Sequence, residues 1–195
     1  MPERCFLAIE LPGPVLRTLA RACESFLDLS PAWRAEKWVA PDLLHVTLGF
    51  LGEVPDPQVP ELIAALTGAS ACHAPFELRL SNARPVPSGH HATMVWAVMG
   101  GGLDPASDLH EAVIAAASRD PDRRPYSPHI TLVRARRPRR VHHDAIASVA
   151  ADLEAAGKTS DGCVSVPSFT LLSSTLGPTG PSYRRLARVY LSGGG

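Results

Sequence analysis

One phrase occurs twice in this chain, and it limits what the chain can become more than anything else in it. His45-Val46-Thr47-Leu48 and His129-Ile130-Thr131-Leu132 both read His, β-branched aliphatic, Thr, Leu, in stretches with the character of strands. Side chains alternate across a strand, so His and Thr, two apart, share one face while the aliphatic residue and Leu take the other. Each copy therefore presents an imidazole and a hydroxyl together on a backing of core. Two copies predict a site where two histidines and two hydroxyls face each other.

The surrounding pattern repeats as well. A strand over 4–11 is followed, after Pro12-Gly13-Pro14, by a helical stripe of Val15, Leu16, Leu19, Cys23, Phe26 and Leu27 that ends at Ser30-Pro31. A brief strand over 37–39, the first motif strand over 44–51 and a helix over 61–67 come next. From Phe76, apolar Phe76, Leu78 and Leu80 alternate with Glu77, Arg79 and Ser81 as in a half-buried strand. A turn-rich stretch (Pro85, Pro87, Ser88, Gly89) leads to a strand over 93–99, a helix over 103–118 and a loop of Arg, Asp and Pro before the second motif. A helix over 141–156 is expected to close on Gly157 as its C-cap. Strands over 164–173 and 183–191 end the pattern, with Gly193-Gly194-Gly195 as a frayed tail. Each half thus has a helix before its motif strand and another after it, a degenerate duplication.

Composition narrows the class. The chain is 45% hydrophobic and 19% charged with zero formal net charge, so it reads as globular and not as a polyanion magnet overall. Its positive charge is uneven: Arg119, Arg123, Arg124, Arg134, Arg136, Arg137, Arg139 and Arg140 fall close to the second motif. The distal members read as a solvated face, whereas Arg134, on the strand continuing from His129, suits a phosphate. Lysine is confined to Lys37 and Lys158. The first residues form a strand rather than a secretory signal, and no stretch approaches a membrane span. Cys5, Cys23, Cys72 and Cys163 are scattered without C-x-x-C, which points to no zinc site or disulfide framework and to the cytoplasm.

Two histidines on facing strands suit acid–base chemistry near neutral pH, one neutral and one protonated. At phosphorus, the base would take a proton from the attacking oxygen, the acid would protonate the leaving oxygen, and Thr hydroxyls would donate to non-bridging oxygens. A single H-x-T is weak: His91-Ala92-Thr93-Met94 also fits, lacks the aliphatic and Leu positions, and is read as a decoy. Metal binding is the rival use of histidine. His90-His91 and His142-His143 are adjacent pairs whose rings diverge, and they are read as surface residues, with His73 and His110 lone and either exposed or satisfied in place. Neither G-x-S-x-G nor a P-loop is present.

These residues resemble the two-histidine phosphoesterases. His45-Val46-Thr47-Leu48-Gly49-Phe50-Leu51-Gly52-Glu53 and Pro128-His129-Ile130-Thr131-Leu132-Val133-Arg134 resemble the two signatures of the RNA 2′,3′-cyclic phosphodiesterases, also called 2′-5′ RNA ligases. The opening strand from Arg4, Leu176-Gly177-Pro178 and Tyr183-Arg184-Arg185-Leu186 also fit. The resemblance implies an α+β fold: one bilobal unit of residues 1–195, two antiparallel sheets about a pseudo-twofold, flanking helices and a cleft between the sheets. It implies hydrolysis of RNA 2′,3′-cyclic phosphate ends to 2′-phosphates without metal; no other cofactor and no membrane partner are expected, and the chain is expected to be a monomer. His45 would be proton donor, His129 proton acceptor, and Thr47, Thr131 and Arg134 phosphate ligands. The reverse reaction would join a cyclic end to a 5′ hydroxyl.

Three positions carry sharper expectations. Phe50 is an odd number of residues from His45, so an ideal strand buries it on the far face. Arg134 is likewise odd relative to His129 and reaches the phosphate only if the strand bulges, twists or ends. Tyr126 either stacks on a base or packs, and Arg136 is a further RNA-contact candidate. The alternatives to RNA-end hydrolysis are a cyclic phosphodiesterase for small nucleotides or ADP-ribose cyclic phosphate, and a non-catalytic RNA- or nucleotide-binding module.

Overall fold

The computed structural model describes residues 3–120, 125–177 and 180–193. The described residues contain nine strands and four α-helices. In chain order these are β1 (Glu3–Glu10), α1 (Gly13–Leu29), β2 (Lys37–Trp38), β3 (His45–Val54), α2 (Val59–Ser70), β4 (Phe76–Val86), β5 (His91–Gly101) and α3 (Leu103–Ala116). They continue as β6 (His129–Arg140), α4 (His143–Gly157), β7 (Cys163–Val166), β8 (Ser168–Gly177) and β9 (Gly180–Tyr190).

The strands form two antiparallel sheets, one ordered β3-β1-β8-β9 and the other β2-β6-β5-β4-β7. Apart from β2, the two sheets match position by position, so the duplication seen in sequence is a duplication of sheet order. Each motif strand, β3 or β6, lies at or next to an edge and pairs with one inner strand, β1 or β5. The helices make the two halves interdependent. α1 packs against α4, which lies on β4 of the five-stranded sheet, whereas α2 packs on α3 and β9, and α3 on β3. β1 and the helix after it thus serve different sheets.

Helix α1 shows why the pattern folds as it does. Val15, Leu19, Ala22 and Phe26 are buried along one stripe, Pro14 sits in its first turn, and Pro31 cannot extend it. The Ser30 N–H caps the end by donating to the Phe26 carbonyl (2.8 Å), and Trp33 meets Phe26 edge-on with centroids 5.7 Å apart.

Several boundaries differ from expectation for identifiable reasons. The single strand expected over 164–173 is two strands in different sheets, since Pro167 offers no N–H to a ladder and the chain changes sheet there. β4 runs on through Pro85 to Val86. Gly157 is not a left-handed cap but the last residue of α4, where a Cβ would lie 1.9 Å from the Leu80 carbonyl oxygen, so it permits α4 to touch β4. Gly193 is tied down by donating to the His73 carbonyl (3.0 Å), while the rest of the expected frayed tail lies outside the described residues.

Candidate active site

The four motif residues obey simple alternation. His45, Thr47, His129 and Thr131 are half-buried, and Val46, Leu48, Ile130 and Leu132 are buried behind them. At the last residue of each motif the strand bulges. Ala8 pairs with Thr47 and Leu7 with Gly49, leaving Leu48 unopposed. Trp96 pairs with Thr131 and Val95 with Val133, leaving Leu132 unopposed. An extra residue of this kind reverses the alternation after it. Leu48 and Gly49 are therefore both buried, as are Leu132 and Val133, and the next residues emerge on the histidine face. Arg134 gains the orientation that an ideal strand denies it. Phe50, expected in the core, is 73% exposed instead. The duplicated scaffold places an aromatic ring and a cation at equivalent positions.

Side chains and backbone from elsewhere hold both bulges. The Leu48 carbonyl accepts from His110 Nδ1 (2.6 Å) and the Thr47 carbonyl from the Tyr126 hydroxyl (2.9 Å). The Leu132 carbonyl accepts from the Val39 N–H (2.9 Å). A buried carbonyl without such a donor would be costly.

The two histidines are mounted alike. His45 Nδ1 donates to the Leu43 carbonyl (2.7 Å) and His129 Nδ1 to the Ser127 carbonyl (2.7 Å), each two residues back. A carbonyl offers no proton, so both Nδ1 atoms carry one, which leaves each Nε2 to accept or donate. Their surroundings differ. His45 lies against Phe6 (centroids 5.2 Å) and edge-on to Tyr183 (5.7 Å). His129 stacks on Trp96 at 3.6 Å and 18°, and the Arg84 guanidinium lies 5.1 Å over the Trp96 ring.

Electrostatics ties these groups into one site. Burial holds both imidazoles below their ordinary pKa, opposed by the Nδ1 hydrogen bonds. The Arg134 charge lowers both further; His129 adds to this effect at His45, and Arg84 adds to it at His129. Burial raises the Tyr183 hydroxyl, with Arg134 pulling the other way. Arg134 on one sheet is thus felt by His129 beside it and by His45 and Tyr183 across the cleft.

A family model described as the 2′-5′ RNA ligase superfamily matches residues 17–177. The chain belongs to the 2′-5′ RNA ligase superfamily. Among similar proteins, an RNA 2′,3′-cyclic phosphodiesterase from Thermus thermophilus is 31% identical over 97% of this chain and 91% of its own length. One from Aeropyrum pernix is 29% identical over 82% of this chain and 88% of its own. The crystal structure of the Thermus thermophilus protein TT0787 superposes with a TM-score of 0.69 at 28% identity, covering 97% of this chain and 98% of that one. The structure of E. coli LigT complexed with phosphate gives 0.63 at 25%, covering 98% of each chain.

The remaining sequence candidates of this superfamily member divide. Tyr126 packs: its ring stacks on His110 (4.4 Å, 5°) and its hydroxyl, raised by burial, serves the Thr47 carbonyl. Arg136 is exposed in an irregular stretch of β6, and its backbone N–H donates to Glu36, which also binds the Arg139 guanidinium. Glu36 is held below the usual carboxylate range, first by that N–H. Arg123 and Arg124 lie outside the described residues. The decoy's His91 is exposed, and its Thr93 hydroxyl is spent on the Val86 carbonyl (3.2 Å). His90, His142 and His143 are exposed, His110 is satisfied in place, and no group of three or more His, Cys, Asp or Glu among the described residues is placed to hold a metal. No helix among them is long and apolar enough to cross a membrane. Phe6, Arg84, Trp96 and Tyr183 escaped sequence reasoning. Phe6 and Trp96 sit on the strands that pair with the motif strands, so only the register brings them to the histidines.

Proposed function

We propose that this protein hydrolyses RNA 2′,3′-cyclic phosphate ends to 2′-phosphomonoesters by two-histidine acid–base catalysis, acting in the cytoplasm as one bilobal monomer. The observation that carries the reading is the matched mounting of His45 and His129, each with Nδ1 fixed on a backbone carbonyl and Arg134 acting on both. The similar proteins named for this activity support the substrate class.

Water attacks phosphorus and passes a proton to neutral His129 Nε2. The P–O3′ bond breaks, and the departing 3′ oxygen takes a proton from His45 Nε2. The product carries a 2′-phosphate and a 3′ hydroxyl, and the histidines have exchanged protonation states. Thr47, Thr131 and Arg134 donate to the non-bridging oxygens, where charge gathers. Two imidazoles move both protons, so the reaction asks nothing of a metal. Phe50, exposed beside this site, offers its ring to the terminal base, a contact worth about 1–3 kcal/mol. Run backwards with a 5′ hydroxyl in place of water, the same steps join RNA ends, with the roles of the histidines reversed.

The test is RNA bearing a 2′,3′-cyclic end, incubated with EDTA and analysed for the phosphate isomer formed. The expected product is the 2′-phosphate, with kcat lowered about 10²–10⁴-fold in His129→Ala. A 3′-phosphate product, or undiminished activity in that variant, overturns the reading.

A further inference from the structure

We propose that Arg185 and Arg188 on β9 form a second anion subsite, which takes an internal phosphate of the RNA just upstream of the cyclic end. The inference rests on the reaction proposed above and adds to it a preference for chains over single nucleotides.

Register places these residues. Glu10 pairs with His45, Ala8 with both Thr47 and Thr170, and Thr170 with Arg188, while Arg185 lies opposite Leu172, the partner of Phe6. Direct partners point to the same side of a sheet, so all of these side chains emerge on the histidine face. By backbone alone Arg188 is three strand spacings from Thr47, about 14 Å. The guanidinium groups, however, reach back over β8. Arg185 Nη2 meets Glu10 Oε1 (2.8 Å) and Arg188 Nη2 meets Glu10 Oε2, with the Thr170 hydroxyl donating to Oε1 (3.1 Å). Their charges are therefore held at the carboxylate of Glu10, which leans toward Thr170 on β8 and belongs to the residue that pairs with His45.

The balance of charge favours an anion. Two arginines share one carboxylate, which leaves one positive charge, and Glu10 fixes the geometry of both. A guanidinium has five N–H donors, so contact with one carboxylate leaves donors for phosphate oxygens. Both arginines remain open to solvent, with side-chain exposures of 57% and 38%. Beside Arg188 lies a cavity of about 240 Å³ whose lining includes Glu10, Ser165 and Ser168, the two serines adding hydroxyls to the same surface. Of the arginines singled out in the sequence, Arg139 is committed to Glu36, which also accepts from the Arg136 backbone N–H.

The experiment compares 2′,3′-cyclic mononucleotide with di- and trinucleotides ending in the same cyclic nucleotide. The wild-type protein should gain about tenfold in kcat/KM when the first internal phosphate is added. Arg185→Gln/Arg188→Gln should lose that gain while keeping mononucleotide turnover, and Glu10→Gln should keep or enlarge it. In the wild type, kcat/KM should fall more steeply with salt for the trinucleotide than for the mononucleotide, a comparison that needs no variant to fold. The proposal is overturned if the wild type shows no gain, if the double variant retains it, or if mononucleotide and trinucleotide activities fall together. Anisotropy of a labelled trinucleotide separates binding from chemistry. Affinity that depends on Arg188 in a protein without turnover would uphold the subsite and remove the reaction assigned above.

Discussion

Arg134 is the arginine whose charge reaches both histidines, with Arg84 acting more strongly than it on His129. Its charge opposes the imidazolium form of both histidines, and burial acts in the same direction. Both therefore titrate below the ordinary imidazole value of about 6.5, and the bell-shaped kcat/KM profile of the free protein should peak on the acid side of that value. Removing the cation raises both values. Arg134→Gln should thus move the kcat/KM optimum to higher pH while lowering its height about 10²-fold, the scale of losing one donor to transition-state oxygens. A lowered profile with an unmoved optimum would contradict this placement. That His45 and His129 share faces with Thr47 and Thr131 was legible in the sequence, because period-two alternation is local. The orientations of Arg134 and Phe50 were not, because each depends on an extra residue in its strand whose carbonyl is satisfied by partners far away in sequence, His110 in one case and Val39 in the other.

Among the elements, β3 and β6 carry the two histidines of the proposed reaction, and their bulges decide which residues follow those histidines onto the same face. Gly49 illustrates the packing this requires: a Cβ there would lie 2.7 Å from Ile114 Cδ1 on α3. Gly49→Ala should destabilise the protein by about 1–3 kcal/mol through overpacking. Adding Ile114→Val, which removes the clashing carbon, should restore most of the loss in a denaturant titration; no recovery would mean that the strand itself resists the substitution. The sequence announced these elements well where periodicity was long, as in α1. It was mute where a boundary is set by pairing. Pro167 divides β7 from β8 by sending each to a different sheet, and Gly157 serves contact with β4 rather than the end of α4.

Across the whole molecule, the duplication seen in sequence yields two sheets whose helices serve both halves, with the buried apolar residues forming one continuous cluster. Trp33, Trp38 and Trp96 all lie in or against the five-stranded sheet, so their fluorescence reports that layer while far-UV circular dichroism reports both. The two signals should give coincident unfolding curves, and separated midpoints would show halves that fold independently. The crossed packing also brings a histidine from each sheet within electrostatic reach of the other, as the proposed joint action on one phosphate requires and as no local pattern in the chain contains. The most direct measurement of that claim is the pH dependence of kcat/KM in His45→Ala and His129→Ala beside the wild type. The wild type should give a bell; loss of the acid should abolish the alkaline limb in His45→Ala, and loss of the base should abolish the acid limb in His129→Ala. A bell that survives in either variant, or the same limb lost from both, would contradict catalysis by a pair of histidines in complementary roles.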